Sequence, residues 1–236
     1  MALSAIVGAA SPAVAGTVAA GRAASVQPPS DPAHLAAQAA IAVLRRRAPR
    51  LQVQWQRDGR LPALLTGLAV PTQGLAADAQ PDADALARAR GFLLAHPALV
   101  GGAVDALAAL PVSRSARRTV VRFEARPGDV PLLDRTLSVT LDAEGRVLHF
   151  VSDLPPLAAV PAGSVAADAA TAAARAVPRL GRALLSTPTP ALWQPAGRML
   201  RVWRIDAVVV AGASHLRVLV DAATGEVVHL EEQVRP

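Results

Sequence analysis

The chain has no cysteine and no tyrosine. Lysine is also absent, so all 24 basic residues are arginine. Without cysteine there are no disulfides, no thiolate metal sites and no thiol nucleophile, and the redox compartment is left open. Without lysine a phosphate-binding Gly-Lys-Ser/Thr loop is excluded. Aromatic residues make up only 3% of the 236 residues, too few for a stacking platform along a nucleic-acid strand. The formal charge of +6 and the pI of about 11.4 therefore do not make nucleic acid a partner. The high pI follows partly from the missing lysine, cysteine and tyrosine, which would buffer the alkaline range. The one dense basic run, Arg45-Arg46-Arg47 with Arg50, ends a helical pattern, where cations suit the helix dipole, and reads as a solvated helix end.

Hydrophobic residues make up 52%, enough for a core in two small domains or one larger one. Residues 1–30 are small and mildly apolar. Ala13-Val14-Ala15 fits a small-residue cleavage site, yet no charge precedes Arg22, and Gly8, Ser11, Pro12 and Gly16 break the run. The stretch is a weak signal-like segment or a disordered arm, and it is too broken to span a membrane. The signal-like reading places the protein outside the cell or in the periplasm and envelope.

Two stretches share one design. His215 to Leu230 alternates with period two around Asp221-Ala222-Ala223-Thr224-Gly225. Leu137 to Phe150 does the same around Asp142-Ala143-Glu144-Gly145. Each predicts a β-hairpin. Asp142 and Asp221 start the turns and can accept from downstream backbone N–H groups. Thr224 lies in the second turn, and Gly145 and Gly225 close the loops with positive φ. A helix and a further strand precede each hairpin, so the chain contains two related α+β units in tandem.

Asp31 and Pro32 open a first helix, through Ala36, Ala40, Val43 and Leu44 to a stop before Pro49. Leu51 to Trp55 alternates as a strand, Asp58-Gly59 turns it, and Leu64 to Val70 returns it. Asp82 to His96 is the clearest helix, with Ala85, Leu86, Ala89, Phe92 and Leu93 on one stripe. Thr119 to Ala125 is a strand with Val121 and Phe123 on one face. Pro155, Pro156 and Pro161 mark a boundary. The second unit starts with Ser164 as helix N-cap and a helix to about Val177, whose narrow face is Ala166, Ala170 and Ala173. Strands follow at Leu192-Trp193, Leu200 to Ile205 and the second hairpin. Val208 to Val210 continues one strand or starts another. Glu231 to Pro236 carries no helix or strand pattern.

Catalytic patterns are missing. The histidines are His34, His96, His149, His215 and His229, and none lies three or four residues from another. A His-Glu-x-x-His zinc helix is therefore absent. Ser164 has no nucleophile-elbow frame. Trp55, Trp193 and Trp203 lie on alternating strands and suit half-buried packing better than a binding face. No catalytic, cofactor or metal residue is assigned, and the chain is not expected to be an enzyme.

The segments DALARARGFLLAHPALVGG (Asp84 to Gly102), VRFEARPGDVPLL and LSVTLDAEGRVLHFVSDL resemble the fungalysin/thermolysin propeptide (FTP) domain. The second half, from Ser164 through LRVWRIDAV to LRVLVDAATGEVVHLEE, resembles a PepSY domain. That order is found in the pro-regions of secreted thermolysin-like zinc metallopeptidases, and the likeness covers roughly Leu51 to Glu232. Asp134-Arg135 stands where the family has a Gly pair. The resemblance implies an α+β fold of two tandem cystatin-like units, each an antiparallel sheet with a packed helix. The units are expected at 31–156 and 161–232, with a tail at 233–236. It implies a non-catalytic folding assistant or inhibitor (an intramolecular chaperone) whose partner is a thermolysin-like zinc metallopeptidase, in cis or in trans. The alternative is a secreted or envelope PepSY-type binding module with no peptidase partner. In that family the chain's end leads into the cleavage junction. The expected partner contacts are accordingly Glu231, Glu232, Gln233, Val234, Arg235 and Pro236, with Glu231 and Glu232 able to approach a cationic zinc site.

Overall fold

A computed structural model describes residues 31–75, 79–157, 161, 163–209 and 214–233. The signal-like stretch 1–30 and residues 234–236 lie outside the described residues.

The protein is α+β, built on two antiparallel sheets. The first contains β1 (Gln52–Trp55), β2 (Pro62–Thr66), β3 (Leu107–Ala109), β4 (Ser113–Arg114), β5 (Thr119–Ala125), β6 (Thr136–Leu141) and β7 (Val147–Ser152). Its order is β1-β2-β7-β6-β5-β3, with β4 also beside β5. The second contains β8 (Leu184–Leu185), β9 (Thr189–Trp193), β10 (Leu200–Val209), β11 (Ser214–Asp221) and β12 (Val227–Gln233), in the order β12-β11-β10-β8 with β9 also on β10. Helices α1 (Pro32–Arg47) and α2 (Pro81–Ala95) belong to the first unit and α3 (Ala167–Arg175) to the second. The tandem arrangement expected from the repeated hairpin is present.

Local chemistry explains the helix ends. Asp31 Oδ1 accepts from the Ala33 N–H at 2.8 Å, and Pro32 sits in the first turn. The arginines 45 to 47 fill the last turn, all exposed. The buried stripe of α1 is His34, Ala37, Ile41 and Leu44, not Ala36, Ala40 and Val43. An alanine-rich helix offers little contrast between faces, and a buried His does not register as apolar. In α2 the expected stripe is inside: Ala85, Ala89, Phe92 and Leu93 are buried, and α2 packs on β5 and β6.

The start of α3 corrects the expectation at Ser164. The helix begins at Ala167 after an uncapped Ala166. The N–H groups of Ser164 and Val165 both donate to Ala222 O at 2.8 Å, so this segment is tied to the second hairpin turn instead. The buried residues of α3 are Ala170 and Ala174; Ala173 is partly buried and Ala166 lies outside the helix. Val208 and Val209 continue β10.

All three phenylalanines, Phe92, Phe123 and Phe150, lie in the first unit's core. The second unit packs Ala170 and Ala174 against Ile205, Val218 and Val220. A third cluster joins Leu133 of the first unit to Ala191, Val202 and Leu219 of the second. Strict alternation in β11 leads one to expect one solvated face. Leu219 is nevertheless fully buried, because the loop bearing Leu133 covers the sheet's second face.

Candidate functional site

The two Asp turns form as expected. Asp221 is buried, and its carboxylate accepts from Ala223 N at 2.6 Å and Thr224 N at 3.3 Å. Thr224 Oγ1 accepts from Glu226 N at 3.3 Å, and Gly225 takes φ 78°. In the first turn Asp142 accepts from Arg146 N and Arg146 Nε, each at 2.7 Å, and Gly145 takes φ 77°. Burial pushes the Asp142 carboxyl up, but the hydrogen bonds and charge of Arg146 outweigh it, and the group titrates below its ordinary value. These residues hold turns; their hydrogen-bonding capacity is spent on the chain itself.

Of the expected contact residues, Glu231, Glu232 and Gln233 lie on the last strand, β12. They pair with Arg217, Leu216 and His215 of β11. Their carboxylates are engaged. Glu231 lies 3.5 Å from Arg217, and Glu232 pairs with Arg179 at 2.9 Å and accepts from Ser214 Oγ at 3.0 Å. Gln233 Nε2 donates to Glu231 at 2.8 Å. Val234, Arg235 and Pro236 fall outside the described residues. The missing signal was charge pairing: Arg217 is far in sequence from Glu231 and Gln233 but reaches both across the ladder.

Among the described residues β12 is the outermost strand of its sheet, with β11 on one side only. Val227 and Glu232 are exposed and the other five residues half-buried. Such an edge offers a row of backbone donors and acceptors to a further strand. The other side of the second sheet is fixed to the first unit. Leu132 and Leu192 form a parallel bridge, Leu133 N donates to Leu192 O at 2.9 Å and Leu192 N to Pro131 O at 2.8 Å. Arg217, only 12% exposed at its side chain, reaches Asp134 of the first unit at 2.8 Å. Asp134 has φ 57°, a backbone that favours glycine, and its carboxylate is the partner of Arg217.

The histidines are dispersed. His34 stacks on Trp55 at 4.6 Å, and His229 on Trp193 at 4.9 Å. His96 is buried against Phe92, and burial, then the charge of Arg47, holds its imidazole below the ordinary range. His149 is lowered by burial and then by Arg118. Trp203 donates from Nε1 to Val165 O at 2.9 Å. All three tryptophans are half-buried packing residues. Among the described residues no three His, Cys, Asp or Glu side chains stand together as a metal site. A cleft of about 550 Å³ lies between the units, lined by Gln56, Asp58, Ser152, Asp153, Gln194 and Gly197 among others. Its one hydroxyl, Ser152 Oγ, is buried and accepts from Leu154 N at 3.3 Å.

No family model matches the chain, and no curated protein matches it. Among solved structures it is similar to the Bacillus megaterium YpeB C-terminal domain, at 12% identity and a TM-score of 0.41, over 84% of this chain and 97% of that one.

Proposed function

We propose that the chain is a non-catalytic, protein-binding module of the propeptide type. It assists the folding of a secreted thermolysin-like zinc metallopeptidase, or inhibits it, in cis or in trans. One observation carries this reading. The two units are fastened together through Leu132, Leu133 and Leu192, while β12 has no strand on its outer edge among the described residues. A fastened pair of sheets is a rigid template, and an open edge admits a partner's strand. The half-buried tryptophans, packed on His34 and His229 or, for Trp203, hydrogen-bonded to Val165 O, and the engaged turn aspartates fit a scaffold rather than a reaction centre.

The test uses purified protein and thermolysin. The expected result is saturable inhibition, or a raised yield when denatured thermolysin is refolded in its presence. Removal of Val234, Arg235 and Pro236 leaves the β11–β12 ladder whole, unlike a cut at Glu231, and tests whether the terminus enters the cleft. Equal inhibition by the shortened chain moves the contact to the folded units. Neither inhibition nor assisted refolding would favour the binding module without a peptidase partner. Casein incubated with the protein and zinc is expected to stay intact; hydrolysis abolished by a chelator would reveal a catalytic site.

A further inference from the structure

We propose that the groove between α1 and β1 docks an extended acidic segment of a partner protein, which adds to β1 as a further strand. This site is at the opposite sheet from β12 and does not rest on the peptidase reading. Among the described residues β1 is the outermost strand of the first sheet and pairs with β2 alone. Beside it runs a groove of about 290 Å³ lined by Gln38, Ile41 and Arg45 of α1 and by Val53 and Trp55 of β1. The three α1 residues are spaced three and four apart, so they form one line along the helix.

The floor of this groove is preorganised. Val53 and Trp55 pack against the first unit's core. Trp55 rests on the His34 ring, which is held on both nitrogens: Nδ1 lies 2.5 Å from Gly59 O and Nε2 lies 2.7 Å from Gln38 Nε2. Hydrogen-bond geometry therefore assigns the Nδ1–H form, with Nε2 accepting from Gln38. A floor fixed before binding costs an incoming chain little reorganisation.

Charge selects the occupant. Between Asp31 and Asp58 the chain carries Arg45, Arg46, Arg47, Arg50 and Arg57 and no acidic residue. Arg45, Arg46, Arg47 and Arg50 are exposed, and none has an ion pair among the described residues. Several arginines elsewhere are matched within the fold, among them Arg88 with Asp84, Arg114 with Asp82, Arg146 with Asp142 and Arg217 with Asp134. Arg45 thus puts an exposed positive charge, without an ion pair among the described residues, on the groove itself, and its neighbours Arg46, Arg47 and Arg50 add to the positive field of that helix end. A polypeptide uses both the edge and the field, whereas a nucleic acid would use only the field and finds a single tryptophan already stacked on His34.

The experiment is fluorescence anisotropy at about 0.15 M salt, where long-range attraction is screened. The probe is a labelled peptide of about eight alternating Glu and Val residues, long enough to cover β1. Its twin carries N-methyl groups on alternate amides, keeping the charge and removing the ladder donors. Saturable binding is expected for the first peptide and none for the twin. Arg45→Glu is expected to weaken binding at least about tenfold, and Arg198→Glu, an exposed arginine of the second unit, to leave it unchanged. Circular dichroism checks the fold; if Arg45→Glu unfolds, the comparison of the two peptides decides alone. Equal binding of the twin, equal loss with Arg198→Glu, no binding of the first peptide, or displacement of it by a DNA duplex or phosphatidylserine vesicles overturns the proposal.

Discussion

At the scale of single residues the two hairpin turns are alike in sequence and unlike in surroundings. Gly225 and Gly145 both need positive φ. A Cβ added at Gly225 would meet only Val165 methyls at 3.7 Å, an ordinary contact. At Gly145 it would meet Arg88 at 2.7 to 2.8 Å. Arg88 cannot swing away freely, because it holds Asp84 at 2.7 Å and Thr72 O at 2.8 Å. Gly225→Ala should cost about 1–2 kcal/mol, from backbone strain alone. Gly145→Ala should cost about 3 kcal/mol, adding a lost hydrogen bond to the strain. Urea unfolding of the two variants measures the difference; equal costs would mean that Arg88 relocates. Asp221→Ala, which leaves Ala223 N–H without its acceptor, should cost about 1–3 kcal/mol in the same assay.

Two histidines set the acid sensitivity. Burial, seconded by Arg47 and Arg118, lowers the pKa of His96 and His149 from an ordinary value of 6.5. Below that value the unfolded chain binds more protons than the folded one, so stability rises with pH and is lost on acidification. The loss begins near pH 6.5 and continues down to the lowered folded values. Asp84, held low first by its hydrogen bond from Arg88, and Asp142 act in a separate window. Their stabilisation is full above 3.8 and disappears only as pH falls through their depressed values. Thermal melts should therefore decline between pH 7 and 5, and His96→Gln should flatten that decline. An unchanged slope would assign the effect to other groups.

At the scale of elements, what could be read from the chain followed from contrast. α2 was legible because Phe92, Leu93, Ala85 and Ala89 stand out at helical spacing against charged neighbours, and β5 because Val121 and Phe123 alternate with Arg122 and Glu124. The hairpins were legible from Asp and Gly at fixed offsets. α1 and α3 are runs of alanine, and a face made of alanine cannot be told from its opposite by hydropathy. Their buried stripes, Ala37 and Ile41 in one and Ala170 and Ala174 in the other, are chosen by what packs on them. Ser164 has the right chemistry for an N-cap, but Ala222 O captures its N–H and delays the helix. β12 runs on through Glu231 to Gln233 because Arg217 and Arg179 pair with its carboxylates, a compensation invisible to a local reading. The candidate surfaces share that property: an open edge is a fact of strand order, and no pattern within β1 or β12 announces which side stays unpaired.

At the scale of the whole molecule the question is what makes two small units act as one. Leu133 is the answer the geometry favours. It comes from the first unit, is buried, and sits on Ala191, Val202 and Leu219, the face of the second sheet that α3 does not cover. Without it Leu219 and Val202 would lie against water. The Arg217–Asp134 pair at the rim is half-exposed on the aspartate side, so it orients the contact more than it stabilises it. Leu133→Ala should therefore cost about 2–3 kcal/mol, the lower part of the range for truncating a buried leucine. More tellingly, it should split unfolding. Two of the three tryptophans, Trp193 and Trp203, lie in the second unit, so fluorescence reports mainly on that unit, while far-ultraviolet circular dichroism reports on both. In urea the two probes should coincide for the parent chain and separate for Leu133→Ala, fluorescence changing first. Coincident curves in the variant would show that the main-chain link between Leu133 and Leu192 couples the units without the side chain.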